Sequence, residues 1–154
     1  MSHRPLVLIA VVSLFACAKA EEPSKASAKL TATAAPSAAP QTARDPHAGL
    51  PQLSVDEVAD LLAKHQARAV DANGAETRQQ YGTLPGAVLL SNYATFETSE
   101  LPSDKSAELV FYCGGLACSA APHAAARAKE AGYTNVKVMP QGISGWVKAG
   151  KPIS

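Results

Sequence analysis

The chain has 154 residues, a formal net charge of +1, and acidic and basic residues in near balance. That length allows one domain of ordinary size, and the charge gives no strong electrostatic partner. Without a basic stripe to follow a phosphate backbone, nucleic-acid binding is not expected.

The N-terminus reads as an export signal. Arg4 supplies positive charge, and Leu6 to Ala16 are apolar apart from Ser13, a run too short to span a membrane. Leu14-Phe-Ala-Cys17 resembles a bacterial lipobox, although Phe15 stands where a small or β-branched residue is usual. The predicted signal segment is 1–16, with Cys17 as the lipidated first residue; cleavage after Ala20, within Ala18-Lys-Ala20, is the alternative. Either route predicts an exported protein, periplasmic or in the cell envelope, and a membrane-anchored lipoprotein if Cys17 is modified. Cysteines in that compartment are free to form disulfides.

Residues 17–52 are mostly Ala, Pro, Ser, Thr and Lys, with few large apolar residues. Such a segment buries too little surface to offset its conformational entropy and is predicted to be a disordered tether. At roughly 35 residues its r.m.s. span is on the order of 30 Å. The folded domain is predicted over 53–154.

Ser54 and Glu57 form a capping-box pair, Leu53 and Val58 a hydrophobic staple. Val55, Val58, Leu61 and Leu62 then recur at helical spacing. Ala69 to Asp71 and Ala87 to Leu90 read as short strands, the second following the turn Leu84-Pro-Gly86. Thr95 to Leu101 has room for one helical turn, and Arg78 and Tyr81 read as solvated helix or loop positions, with a surface contact at the mouth of the site as the alternative. Leu109-Val-Phe-Tyr112 is rich in β-formers, making a buried strand that ends at Cys113. The alanine-rich run from Ala120 reads as a helix closed by Gly132, with Pro122 in its first turn. Val136 to Met139 is a fourth strand, and residues 142–149 a last short helix anchored in the core by Trp146.

Helices alternating with short apolar strands predict an α/β fold, a small parallel sheet with helices on both faces. Ligands of such sheets bind beyond the carboxyl ends of the strands, where Cys113 is placed. The start of the following helix has unpaired N–H groups and a positive dipole end. Both favour a thiolate or a bound anion.

Four segments, taken in order, resemble the rhodanese-like domain. They are Val70-Asp71-Ala-Asn73, Gly82-Thr-Leu-Pro-Gly-Ala87, the strand-Cys113-loop-Ser119-helix unit ending at Ala131-Gly-Tyr133, and Gln141-Gly-Ile-Ser-Gly-Trp146. The resemblance implies a sulfurtransferase in which Cys113 attacks a sulfane-sulfur donor, becomes a persulfide, and passes sulfur to a thiol acceptor or cyanide. No cofactor and no metal site is implied. The substrate loop would be Gly114, Gly115, Leu116, Ala117, Cys118 and Ser119, its N–H groups facing the outer sulfur. Gly114 and Gly115 would provide positive φ, and the Ser119 hydroxyl would cap the helix or bond the loop. Asp71 and Asn73 are candidate pocket supports.

Departures from the family pattern bear on the donor. The loop residues Gly114 to Ala117 carry no charge, Cys118 stands where an Arg is common, Thr83 replaces the turn histidine, and Asn73 replaces an Arg. Losing one charge-assisted hydrogen bond costs roughly 1.5–3 kcal/mol of anion binding, so a persulfide or polysulfide donor suits the loop better than thiosulfate. Ser119 also stands where phosphatase chemistry needs an Arg. Cys118 is a candidate resolving thiol, provided its Cα lies within about 7 Å of that of Cys113. The alternative function is a non-catalytic or thiol-redox binding module using the Cys113/Cys118 pair. His123 could join the two thiols around a soft metal, but the spacing matches no strong metal pattern.

Overall fold

Short runs of β-branched and aromatic residues alternate with helical segments from Leu53 onward, and they assemble as one parallel sheet. The computed structural model describes residue 47 and residues 49–154. The signal segment, Cys17 and most of the predicted tether therefore lie outside the described residues. The strands are β1 (Arg68–Asp71), β2 (Val88–Leu89), β3 (Leu109–Tyr112) and β4 (Val136–Met139), and the helices are α1 (Val55–Ala63), α2 (Ala75–Tyr81), α3 (Ala120–Glu130) and α4 (Gly142–Lys148). A 3-10 turn at Thr98–Glu100 fills the place where one helical turn was expected.

The sheet order is β2-β1-β3-β4, and all pairings are parallel. The register sets Asp71 opposite Tyr112 and Tyr112 opposite Met139. Beyond the end of β1, the Ala72 N–H donates to the Tyr112 carbonyl at 3.0 Å, which brings the chain leaving β1 alongside Cys113. Gln52 bridges Val138, with Leu53 N–H donating to the Val138 carbonyl at 2.9 Å. The backbone entering α1 thus runs along β4.

Alternation along β3 sorts the core into two layers. Leu109, Phe111 and Cys113 join Val70, Val138 and the buried alanines of α3 on one face. Val110 and Tyr112 join Val55 and Val58 of α1, Ile143 and Trp146 of α4, and Leu84 on the other. Alanines 121, 124, 125 and 128 are fully buried. Their small side chains let α3 lie close to the strands behind Cys113.

The start of α1 and the end of α3 follow the sequence signals. Ser54 and Glu57 form the reciprocal capping box of α1. Gly132, at φ 92°, closes α3, with the Tyr133 N–H reaching back to Ala128 at 3.1 Å. Trp146 is buried and donates its indole N–H to the Pro152 carbonyl at 2.8 Å, tying the C-terminal residues to the core. Helix α2 has no counterpart in the sequence reading: it has no buried residue and starts at Gly74 without a side-chain cap.

Candidate active site at the end of the third strand

Cys113 follows directly on β3, one residue beyond the four completely buried residues of that strand. Residues 114–119 then lead to α3. The Cys118 N–H donates to the Gly115 carbonyl at 2.9 Å and folds the loop back on itself. That turn brings the Cys113 and Cys118 Cα atoms to 6.3 Å, and the two sulfurs are joined as a disulfide. Cys113 is 1% exposed in this state, so it is neither a free thiol nor open to a donor. At the loop tip Leu116 is 69% exposed and covers no core.

Helix α4 holds the loop from below. Ile143 N–H donates to the Cys113 carbonyl at 2.8 Å, and Ser144 N–H to the Gly114 carbonyl at 3.2 Å. In a trans peptide the N–H points opposite to the C=O. With both carbonyls turned toward α4, the N–H groups of Gly114 and Gly115 are turned away from it. Among the described residues, the N–H groups of Gly114, Gly115, Leu116, Ala117 and Ser119 donate to no protein acceptor. These donors are what an anion-binding loop requires.

The glycines serve the loop differently from the expectation. Neither Gly114 nor Gly115 has positive φ; Gly142 does, at 58°. A Cβ on Gly142 would run into the Cys113 carbonyl and the Gly114–Gly115 peptide, and one on Gly115 would lie 2.7 Å from Ser144 Oγ. The strained turn is therefore at the head of α4, and Gly115 is small for close approach. Gly114 has open space around it.

Ser119 also departs from expectation. It precedes α3 in αR geometry with no side-chain cap; its carbonyl, not its hydroxyl, takes the His123 N–H, at 3.1 Å. An αR residue directs its side chain away from the N–H groups that a β-region cap would reach. The first N–H groups of α3 thus have no hydroxyl over them. Pro122 occupies the third position of α3, where its missing N–H leaves no hydrogen bond unmade.

Asp71 and Asn73 lie at the end of β1, beside the departure of Cys113. Asp71 is completely buried. Its Oδ1 accepts the Asn73 N–H at 2.7 Å and lies 3.4 Å from Arg78 Nε, and its Oδ2 accepts the Tyr112 hydroxyl at 2.6 Å. The same hydroxyl accepts the Leu84 N–H at 3.1 Å. Burial, then the Asp71 charge, drives the Tyr112 hydroxyl well above its ordinary pKa of 10, so it stays a proton donor. Arg78 further donates to the carbonyls of Asp71 and Leu90 at 3.1 and 2.9 Å. Arg78, read from the sequence as a solvated position, is a clamp joining the ends of β1 and β2. Asn73 is 8% exposed, and its Nδ2 has no hydrogen-bond partner among the described residues.

Two cavities lie at different distances from this chemistry. The larger, about 650 Å³, opens between α1, the start of β1, Pro85 and Trp146, at the end of β1 away from Asp71. The other, about 530 Å³, is lined by Ser119, Pro122, His123, Ala126 and Lys129 with Gly49 and Leu50, and shares Ser119 with the loop. His123 stands on its wall, its ring 6.3 Å from that of Tyr93. No group of three or more His, Cys, Asp or Glu side chains arranged to hold a metal occurs among the described residues.

Residues 54–149 match the family model of the rhodanese-like domain. No curated protein matches the chain. Among solved structures, a Rhodopseudomonas palustris protein of unknown function, described as a possible tyrosine phosphatase, superposes with a TM-score of 0.57 at 21% identity, covering 71% of this chain and 88% of that one. The human single-domain sulfurtransferase TSTD1 gives 0.53 at 24% identity, covering 65% and 97%. A thiosulfate sulfurtransferase from Pseudomonas aeruginosa gives 0.56 at 21% identity, covering 68% of this chain and 20% of that one. At these identities the likeness is one of fold.

Proposed function

From the premise that this chain belongs to the rhodanese-like domain family, we propose that it is a sulfurtransferase carrying sulfane sulfur as a persulfide on Cys113. The reading rests on the loop whose carbonyls at Cys113 and Gly114 are taken by α4, because that arrangement leaves the loop N–H groups available to an anionic outer sulfur. The Cys113 thiolate attacks the sulfane sulfur of the donor, a sulfur–sulfur bond forms to Cys113, and the remainder of the donor leaves with the electron pair. A thiol acceptor then attacks the outer sulfur and regenerates the thiolate. Loop N–H groups and the uncapped start of α3 stabilise the negative charge that moves between these sulfurs.

The donor is a small persulfide or polysulfide. The loop has no cationic side chain to grip the second charge of thiosulfate. Phosphatase chemistry fits less well, since Ser119 stands where an Arg would hold the phosphoryl oxygens. Export to the cell envelope, with Cys17 as a lipid anchor, remains part of this proposal, as do a small donor and a thiol acceptor as partners.

A thiol-redox module on the same fold is the second reading, favoured by the disulfide between Cys113 and Cys118. One experiment separates the two. The reduced protein is incubated with several sulfane donors, then followed by intact mass and by cyanide-dependent thiocyanate release. The transferase gains the mass of one sulfur atom and releases thiocyanate, and Cys113→Ser does neither. If the wild type gains no sulfur from any donor while its thiol pair still cycles with a dithiol, the redox module is the correct reading. Persulfide that survives Cys113→Ser would move the nucleophile elsewhere.

A further inference from the structure

Transfer of sulfur to an outside acceptor needs one cysteine, yet the loop brings a second one into bonding range of the first. We propose that Cys118 resolves the Cys113 persulfide and expels its outer sulfur as hydrogen sulfide, making the protein a sulfane-sulfur reductase. This rests on the persulfide reading above.

The step balances without an added oxidant. The Cys118 thiolate attacks Sγ of Cys113 in Cys113–S–SH. The bond between Cys113 Sγ and the outer sulfur breaks, and a Cys113–Cys118 bond forms. The electron pair leaves on the outer sulfur, which departs with the persulfide proton as hydrosulfide. The sulfane sulfur is reduced, and the two cysteine sulfurs are oxidised together to the disulfide. An external dithiol then reopens the loop by thiol–disulfide exchange and readies it for another round.

Several features of the loop favour this outcome over release to solution thiols. The Cα separation of 6.3 Å lies within the range a disulfide spans without backbone movement. The loop is closed by the Cys118–Gly115 hydrogen bond at 2.9 Å and pinned on α4 through the carbonyls of Cys113 and Gly114, so both thiols are held near the reacting geometry. A tethered thiol competes at an effective concentration that external thiols do not reach. The sulfur that Cys118 contacts is the Cys113 Sγ itself, the inner atom of the persulfide. Attack there expels sulfide, whereas attack on the outer atom would only relay sulfur to Cys118. The missing loop Arg belongs to the same picture, because Cys118 occupies its place.

The test is a single turnover of the reduced full chain under anaerobic conditions, with external reductant removed and an organic hydropersulfide as donor. Sulfide is measured against a donor-only blank, and chain mass is followed. Wild type is expected to release one equivalent of sulfide per chain and to finish as the Cys113–Cys118 disulfide. Cys118→Ser is expected to keep one added sulfur and to release sulfide at least tenfold more slowly until a thiol is supplied. Cys118→Ala, which cannot hydrogen-bond in place of the thiol, should behave as Cys118→Ser does. If wild type keeps its added sulfur as Cys118→Ser does, or if all variants release sulfide alike, the resolving role is overturned while the persulfide reading stands. If no variant gains sulfur or releases sulfide above the blank, the persulfide reading itself fails.

Discussion

Two neighbouring regions at the carboxyl ends of β1 and β3 divide the work between them. Around Asp71 a buried carboxylate is engaged on both oxygens: it meets a backbone N–H, a tyrosine hydroxyl and an arginine. Around Cys113 the loop residues Gly114 to Ala117 have no charge and offer backbone N–H groups, and the two sulfurs of Cys113 and Cys118 flank them. The network is built to hold position; the loop is built to react. The two meet where β3 ends, because Tyr112, its last residue, faces the network and Cys113, the next residue, faces the opposite layer of the core.

Breaking the network tests the division most severely. Asp71→Ala leaves the Arg78 charge and the Tyr112 hydroxyl without their buried partner, and denaturant unfolding should show a loss of roughly 3–5 kcal/mol. If stability hardly changes, the network is not what fixes the strand ends. Gly142→Ala forces a positive φ on a residue with a side chain and pushes against the Cys113 carbonyl. It should cost roughly 2–3 kcal/mol and slow sulfur acceptance in protein that is still folded, because the loop loses its seat on α4. A folded, fully active Gly142→Ala would show that the loop does not depend on α4.

Tyr112→Phe removes the hydroxyl that links Asp71 to the Leu84 N–H. The expected loss is about 1–2 kcal/mol in chemical denaturation, with the rate of Cys113 persulfide formation little altered. A large rate effect without a stability effect would make Tyr112 part of the reacting site. Leu116→Ser, at the exposed loop tip, should change stability by no more than about 0.5 kcal/mol.

The smallest effect concerns acid. The Glu100 carboxylate is held below its ordinary value of 4.5, first by the Ser91 N–H. Its stabilising contribution is therefore full above about pH 4.5 and is lost as pH falls through the lower folded value. Glu100→Gln should flatten the acid-side fall of Tm by a small amount. An unchanged profile would assign acid unfolding to other carboxylates.

The two regions were also unequally legible in the sequence. The reactive segment was readable because its signals are local: four β-formers ending at a cysteine, a short loop, then an alanine-rich helix closed by Gly132. The α1 capping box and the core place of Trp146 were readable for the same reason. The network was not, because it joins Asp71, Arg78, Leu84 and Tyr112 across three strands' ends, and nothing local in Leu109-Val-Phe-Tyr112 says that its tyrosine hydroxyl is a buried donor. Helix α2 is not legible in the sequence because Ala-Glu-Thr-Arg-Gln-Gln-Tyr has no apolar stripe. The roles of Gly142 and Ser119 depend on φ values that loop-to-helix packing sets. Residue type alone points to positive φ at Gly114 and Gly115 and to a serine cap instead.

The central claim is that Cys113 accepts sulfur, and it is tested most directly in Cys118→Ser, where no loop disulfide can form. After reduction and exposure to an organic hydropersulfide, the account predicts a gain of one sulfur atom per chain, located on Cys113 by peptide mass analysis and removed by cyanide as thiocyanate. A Cys118→Ser chain that stays folded, carries a free Cys113 thiol and gains no sulfur would contradict it.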